Sequence, residues 1–279
     1  MNYNKFYVGL KIDGRAKNYA IITGASEGIG LEFAKVLAGQ KYNLILVARR
    51  EELLKKNAEH ISSLNNIDCK YIALDLSKTD SADVLFDFID RNNISANFLV
   101  NNAGMLQNGF FSELSWDKQH EMISLNISTL TKLAYLFIHY LKREHRPGYL
   151  LNVASLAGWI PIPNQNVYAA TKAYVVAFSL ALANEISASG QQLVVSTLCP
   201  GFTDTKMMNN PEQGGVLRIS ESLMLSAEQV AKLGIKGCLN GKSIIMPGFM
   251  NKLTSALTHL FSKSFLSRNV GAFYRKNMT

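Results

Sequence analysis

The 279-residue sequence predicts one α/β domain, a doubly wound parallel sheet with helices on both faces. Three observations predict it. Apolar, β-branched runs alternate with amphipathic stretches of helical length, as they do when a parallel sheet is buried on both sides. A glycine-rich turn joins the first strand to the first helix, where such a sheet receives phosphates. No Pro/Ser-rich linker or internal repeat divides residues 18–248, and one shared core of that size is within reach of a single domain.

The elements follow in order. Tyr19-Ala-Ile-Ile22 is a buried strand, and Leu31 to Leu37 has helical spacing. Leu44-Ile-Leu-Val47 is the second strand, followed by a charged helix from Glu51 to about Leu64. Tyr71-Ile-Ala-Leu74, a helix near Ala82 to Arg91, and Phe98-Leu-Val100 continue the alternation. Two long helices are expected over about Trp116 to Lys142, then the strand Tyr149 to Val153. The helix holding Tyr168 and Lys172 runs to about Ser187, ahead of a strand from Leu193 to Leu198. Ser226-Ala-Glu-Gln229 fits a capping box opening a further helix, and Ser243-Ile-Ile-Met246 makes a last strand.

Composition narrows the class. Hydrophobic residues make up 48% and charged residues 18%, which describes a folded globular chain. No uninterrupted apolar run approaches the ~18 residues of a membrane span, and residues 1–17 lack the apolar core of a signal peptide. Cys69, Cys199 and Cys238 are scattered, and the five histidines have no ligand spacing, so neither disulfides nor a metal are expected. A reducing cytoplasm is the default location. The net charge of +8 suits an anionic cofactor, an anionic substrate or a membrane surface. Nucleic acid is not expected, because no basic run with interleaved aromatics precedes the tail.

Two stretches carry chemistry. Thr23-Gly-Ala-Ser-Glu-Gly-Ile-Gly30 follows the first strand and opens a helix. Gly24 permits the tight turn, Gly28 lets the backbone approach a pyrophosphate, and Gly30 lets helix pack on strand. The helix N-terminus offers free N–H groups to the phosphates, so Ser26, Glu27 and Ile29 join the expected cofactor contacts. The second strand ends at Arg49 and Arg50, where an acid would hold the ribose of NAD and arginine suits a 2′-phosphate. That favours NADP(H) over NAD(H). Glu27 either repels that phosphate or pairs with an arginine and orients it. In the second stretch, Tyr168 and Lys172 lie four residues apart on one helix face, with Ser155 upstream. A phenol with a pKa of about 10 is a poor proton-transfer group at neutral pH, and a nearby ammonium is expected to lower it.

With both stretches in hand, residues 18 to 248 resemble the classical branch of the short-chain dehydrogenases/reductases. The matching features are TGASEGIG at 23–30, Asp75 after the third strand, NNAG at 101–104, Asn126, Ser155, YAATK at 168–172, and Pro200-Gly201. The resemblance implies a Rossmann-type fold and an NAD(P)-dependent oxidoreductase acting on alcohol or carbonyl groups. It implies that Tyr168 exchanges the proton, Lys172 binds the nicotinamide ribose, and Ser155 steadies the substrate oxygen. Asn126 would hold a water linking Lys172 to solvent. Asp75 with Leu76, Asn102 with Ala103 and Gly104, and Pro200 with Gly201 and Thr203 would complete the cofactor site. Homo-dimers or homo-tetramers through the helices flanking Asn126 and Tyr168 are implied as well.

The substrate side is apolar: Met105, Leu106, Leu156, Trp159, Ile160, Pro161, Val167 and Phe202. Thr203 to Leu225, with Met207, Met208, Gly214 and Gly215, has the character of a substrate lid. A small hydrophobic ketone, alcohol or sterol-like carbonyl is expected, with a 3-ketoacyl thioester as the alternative. From Met250 to Lys276 the chain carries five cations and no acid, with Leu253, Leu257, Leu260, Phe261 and Phe265 near helical spacing. Such a tail either packs on the domain and covers the pocket or lies on an anionic membrane. An idle nucleotide sensor of the same fold is the remaining alternative, against which stand the intact Ser155, Tyr168 and Lys172.

Overall fold

The computed structural model describes residues 18–209, 220, 224–258 and 260–277. The N-terminal extension 1–17, Gly214, Gly215 and most of the expected lid lie outside the described residues. The first half of the domain alternates β1 (Tyr19–Thr23), α1 (Gly28–Gly39), β2 (Asn43–Ala48), α2 (Glu51–Asn65), β3 (Cys69–Ala73), α3 (Ser81–Arg91) and β4 (Ala96–Asn101). Then come α4 (Trp116–Ile123), α5 (Leu130–Arg143), β5 (Gly148–Val153), α6 (Asn166–Ser189) and β6 (Leu193–Leu198). Short β7 (Thr203–Asp204) and β8 (Leu225–Ser226) precede α7 (Ala227–Leu239) and β9 (Ile244–Ile245), and α8 (Phe249–Thr258) and α9 (Lys263–Asn277) follow.

Among the described residues the main sheet has seven parallel strands in the order β3-β2-β1-β4-β5-β6-β9. The doubly wound expectation holds. Strands β1, β2, β4, β5 and β6 are apolar at consecutive positions because helices cover both faces. Phe33, Leu37, Phe98 and Val230 fill one face, and Leu85, Ile89, Phe137 and Val195 fill the other. Each such side chain contributes roughly 1.5–3 kcal/mol on burial. The winding reverses between β1 and β4, which opens a crevice at their carboxyl ends where ligands of such sheets bind.

Three expected elements differ. The pair of helices over Trp116 to Lys142 is one continuous run, α4 and α5 joined by a π-helical turn at Ser124–Thr129. The widened turn brings Asn126 to complete burial. The last strand is shorter than Ser243 to Met246, with Ile244 and Ile245 pairing on Thr197 and Leu198. The single tail helix is two helices, and Ser262 accepts from the Phe265 N–H at 3.2 Å near the start of α9. The capping box at Ser226 is present, its hydroxyl accepting from Gln229 N–H while Gln229 Oε1 accepts from Ser226 N–H, both at 3.2 Å. By length and hydropathy α6 would pass for a membrane span, yet it packs on β6 and carries Tyr168 and Lys172.

Candidate active site

The turn after β1 is built for close approach. Gly24 (φ +68°) and Gly28 (φ +57°) adopt conformations L side chains rarely take. A Cβ on Gly30 would lie 2.1 Å from the Gly24 carbonyl oxygen, so α1 starts where only glycine fits. Asn102 anchors this turn: its amide donates to Thr23 O at 2.9 Å and Gly24 O at 3.4 Å. The Thr23 hydroxyl accepts from the N–H groups of Asn102 and Ala103, both at 2.9 Å. The turn and NNAG are therefore one rigid unit at the crevice.

Beside it stands a cationic rim. Arg50 pairs with Glu27 at 2.7 Å and donates to the Ser26 hydroxyl at 2.8 Å. Lys206 pairs with the same carboxylate at 3.4 Å. Arg49 reaches Glu121 at 3.4 Å, and Lys118 holds its other oxygen at 3.1 Å. Burial works against ionisation of Glu27, but Arg50 and Lys206 outweigh it and hold its pKa below the ordinary value. Four cations face two acids, so an anion arriving here meets net positive potential. Asp75 is likewise held below the ordinary carboxylate range. Burial opposes its charge, and the Ser77 hydroxyl (2.7 Å) and N–H (3.1 Å), with Arg49 nearby, prevail. Leu76 is buried, and its carbonyl accepts from Thr129 and Ser81 hydroxyls.

The catalytic candidates converge at the carboxyl ends of β4 and β5. Ser155 follows β5 and accepts from Ala157 N–H at 3.1 Å, capping the 3-10 turn Leu156–Trp159. Its hydroxyl also hydrogen-bonds the Tyr168 phenol. Lys172 Nζ lies 5.7 Å from the Tyr168 ring centroid and donates to Val153 O at 3.0 Å. The lowered tyrosine pKa expected from Lys172 does not occur. Desolvation dominates and raises it, and the bond from Ser155 only partly offsets that. The cause is shared, because burial also pushes Lys172 down to about 8. Tyr168 is therefore a protonated phenol at neutral pH, ready to donate.

Asn126 is fully buried. Its Oδ1 accepts from Met105 N–H at 3.0 Å, and its Nδ2 donates to Met105 O at 3.0 Å and Thr171 Oγ1 at 3.1 Å. These bonds position the NNAG loop against α6. A Cβ on Gly104 would come 3.1 Å from Asn126 Oδ1 and 3.5 Å from Lys172 Nζ. That glycine keeps open a cradle in front of the lysine, a space that fits a ribose hydroxyl. Pro200 O accepts from Leu156 N–H at 2.8 Å, tying the end of β6 to the Ser155 turn. Gly201 is packed by Asn251 of α8, whose Oδ1 would lie 2.4 Å from an added Cβ, and the Thr203 hydroxyl donates to Gly201 O at 3.1 Å.

On the substrate side, Ile160, Tyr168 and Phe202 pack with Ile162, Val270 and Tyr274. Trp159 packs against Leu130, Val175, Val176 and Cys199 and also lines a groove with Ile160, Pro161 and Ile162. Tyr274 of α9 is a residue the motifs did not indicate. It is buried, its hydroxyl reaches Gln165 at 3.4 Å, and Gln165 donates to Asn108 at 2.5 Å. Burial and the neighbouring Tyr168 phenol both raise its pKa. Only the 109-residue separation hid it. Of the lid, β7 and β8 pair in parallel and pin the two ends together. No group of His, Cys, Asp or Glu among the described residues suits a metal.

Known proteins resemble this arrangement. The chain is 31% identical over 193 residues to a 7beta-hydroxysteroid dehydrogenase of Mediterraneibacter gnavus, covering 69% of this chain and 72% of that protein. It is 30% identical to the very-long-chain 3-oxoacyl-CoA reductase of Rattus norvegicus, over 73% and 64% of the two chains. Among solved structures, a short-chain dehydrogenase from Sphingobium yanoikuyae in complex with NADPH superposes with a TM-score of 0.75 at 26% identity, over 87% of this chain and 94% of that one. The sequence model of the short chain dehydrogenase family matches residues 18–214. The chain thus belongs to the short-chain dehydrogenases, oxidoreductases that act on CH–OH and C=O groups.

Proposed function

We propose that the protein is an NADP(H)-dependent reductase/dehydrogenase of a bulky hydrophobic ketone or alcohol. The observation that carries this is the convergence of Tyr168, Ser155 and Lys172 between the cationic rim and an apolar cluster. NADPH supplies the hydride, taken up at the carbonyl carbon. Ser155 donates to the carbonyl oxygen and favours the charge that develops on it. Tyr168 then gives its phenolic proton to that oxygen, and the alcohol leaves neutral. Lys172 holds the ribose hydroxyls and compensates the phenolate left behind. In the oxidative direction Tyr168 must first lose its proton, which burial opposes, so oxidation should call for a higher pH than reduction.

Arg49 and Arg50, with Lys206, are proposed to receive the 2′-phosphate, and Glu27 to orient Arg50 rather than repel the ligand. Asn126 is proposed to act by positioning. A 3-ketoacyl thioester is the second reading, favoured by the oxoacyl-CoA reductase relative. Association of copies is proposed through the outer faces of α4 to α6, where Trp116, Tyr135 and Tyr174 are exposed. The test follows NADPH and NADH consumption across sterol-like ketones, small ketones and 3-ketoacyl thioesters. Turnover of a bulky ketone with NADPH preferred is expected. Turnover confined to small ketones, or a preference for NADH, would contradict the reading.

A further inference from the structure

A helix that merely packs on a domain turns its apolar stripe inward. The C-terminal helices do so only in part. The inward side of α8 and α9 carries Asn251, Ser255, Val270, Gly271 and Tyr274, the last three against Pro163 and the cluster around Tyr168. Outward stand Phe249 (77% exposed), Leu260 (75%), Met250 (61%), Phe261, Phe265 and Leu253. Half of the large exposed hydrophobic side chains among the described residues lie between positions 249 and 273. Phe261 and Phe265 stack on each other at 5.2 Å, presenting one aromatic wedge. Residues 249–276 also expose Lys252, Lys263, Arg268, Arg275 and Lys276 and contain no acid.

We propose that α8 and α9 form a docking surface for a bilayer containing anionic phospholipid, with the apolar side chains entering the interface and the cations meeting headgroups. Both halves of that chemistry are required, since exposed aromatic and aliphatic side chains find no partner in nucleic acid phosphates. A second copy is disfavoured by charge: a two-fold contact would set five cations against the same five. A groove of about 310 Å³ opens beside the surface, lined by Ile160, Pro161, Ile162 and Ala173 with Lys263 at its edge. The inner face of α9 borders Tyr168. A lipophilic ketone dissolved in the bilayer would thus meet the protein next to its site, a corollary that rests on the proposed function, whereas the docking itself does not.

The test is co-sedimentation of the full chain with phosphatidylcholine vesicles, with and without phosphatidylserine. Capture by phosphatidylserine-containing vesicles and its release by salt are expected. The triple variant Lys252→Glu, Arg268→Glu, Lys276→Glu should weaken capture by on the order of 100-fold. Leu260→Ser, Phe261→Ser, Phe265→Ser should abolish what remains, and both variants should still bind NADPH, which verifies folding. Three results would overturn the proposal: no capture of the intact chain, equal capture by phosphatidylcholine alone, or a serine variant that loses self-association while vesicle capture is unchanged. Loss of ketone turnover with vesicle capture intact would strike the proposed function and leave the docking standing.

Discussion

The molecule divides into a region whose chemical positions lie in short motifs and one that contributes by closure. From β1 through β6 those motifs sit at strand ends, in the turn at Asn126 and on α6, and they are joined across long separations, as Asn102 is to Thr23 and Asn126 to Thr171. From β7 onward the chain contributes by closure: Lys206 reaches back to Glu27, Asn251 packs on Gly201, and Tyr274 reaches Gln165. Substitutions in the first region should therefore destroy chemistry or cofactor binding. Those in the second should change what is bound and how tightly.

The largest contrast lies within one helix. Gly30→Ala sets a Cβ against the Gly24 carbonyl, and NADPH affinity should fall by at least about 10-fold, read by fluorescence titration. Gly39→Ala, at the other end of α1, meets nothing within 4 Å and should be neutral or stabilising by about 0.5–1 kcal/mol in thermal unfolding. Next comes the cationic rim. Arg49→Ala with Arg50→Ala should lower NADPH affinity by about 10–100-fold and leave NADH nearly unchanged. An equal loss for both cofactors would mean that the arginines hold the turn in shape instead of reading the phosphate.

A smaller effect belongs to the closing region. Tyr274→Phe removes one hydroxyl whose partner is Gln165, and KM for a bulky ketone should rise about 2–10-fold at nearly constant kcat. A fall in kcat with KM unchanged would move Tyr274 into the proton-transfer machinery. The pH response sharpens the same division. Lys172 has a folded pKa of about 8 against an ordinary 10.5, so its ammonium is lost as pH rises through 8, and reduction should decline there. The sign for stability is opposite. Between those values the unfolded chain holds the extra proton, so the contribution of this one group to stability climbs with pH by up to roughly 3 kcal/mol. Buried cysteines and tyrosines with raised pKa values pull the other way in both proteins, so urea melts should show a more positive slope for the protein than for Lys172→Met.

What was legible in the sequence follows the same line. The doubly wound sheet was visible because strands buried on both faces must be continuously apolar, as in Leu44 to Val47. The capping box was visible because Ser226 and Gln229 satisfy each other within one turn. The direction of the Tyr168 pKa was not, because spacing shows that Lys172 is near but not that both groups are desolvated. The π-helical turn at Asn126 was hidden because its widened backbone leaves the residue pattern helical. Tyr274 was hidden by its 109-residue separation from Gln165. In the tail, the apolar stripe was visible, while the side of the helix that faces the domain was not.

The most direct test of the central claim, that Tyr168 gives its proton to the substrate oxygen, is single-turnover NADPH oxidation by Tyr168→Phe. It is run beside the unaltered protein with a bulky ketone, and NADPH affinity is measured on both. Loss of the phenolic hydroxyl should slow the chemical step by about 10²–10⁴-fold while NADPH binds within a few-fold of normal. A variant that oxidises NADPH at nearly the original rate would contradict the account, whatever its affinity for the cofactor.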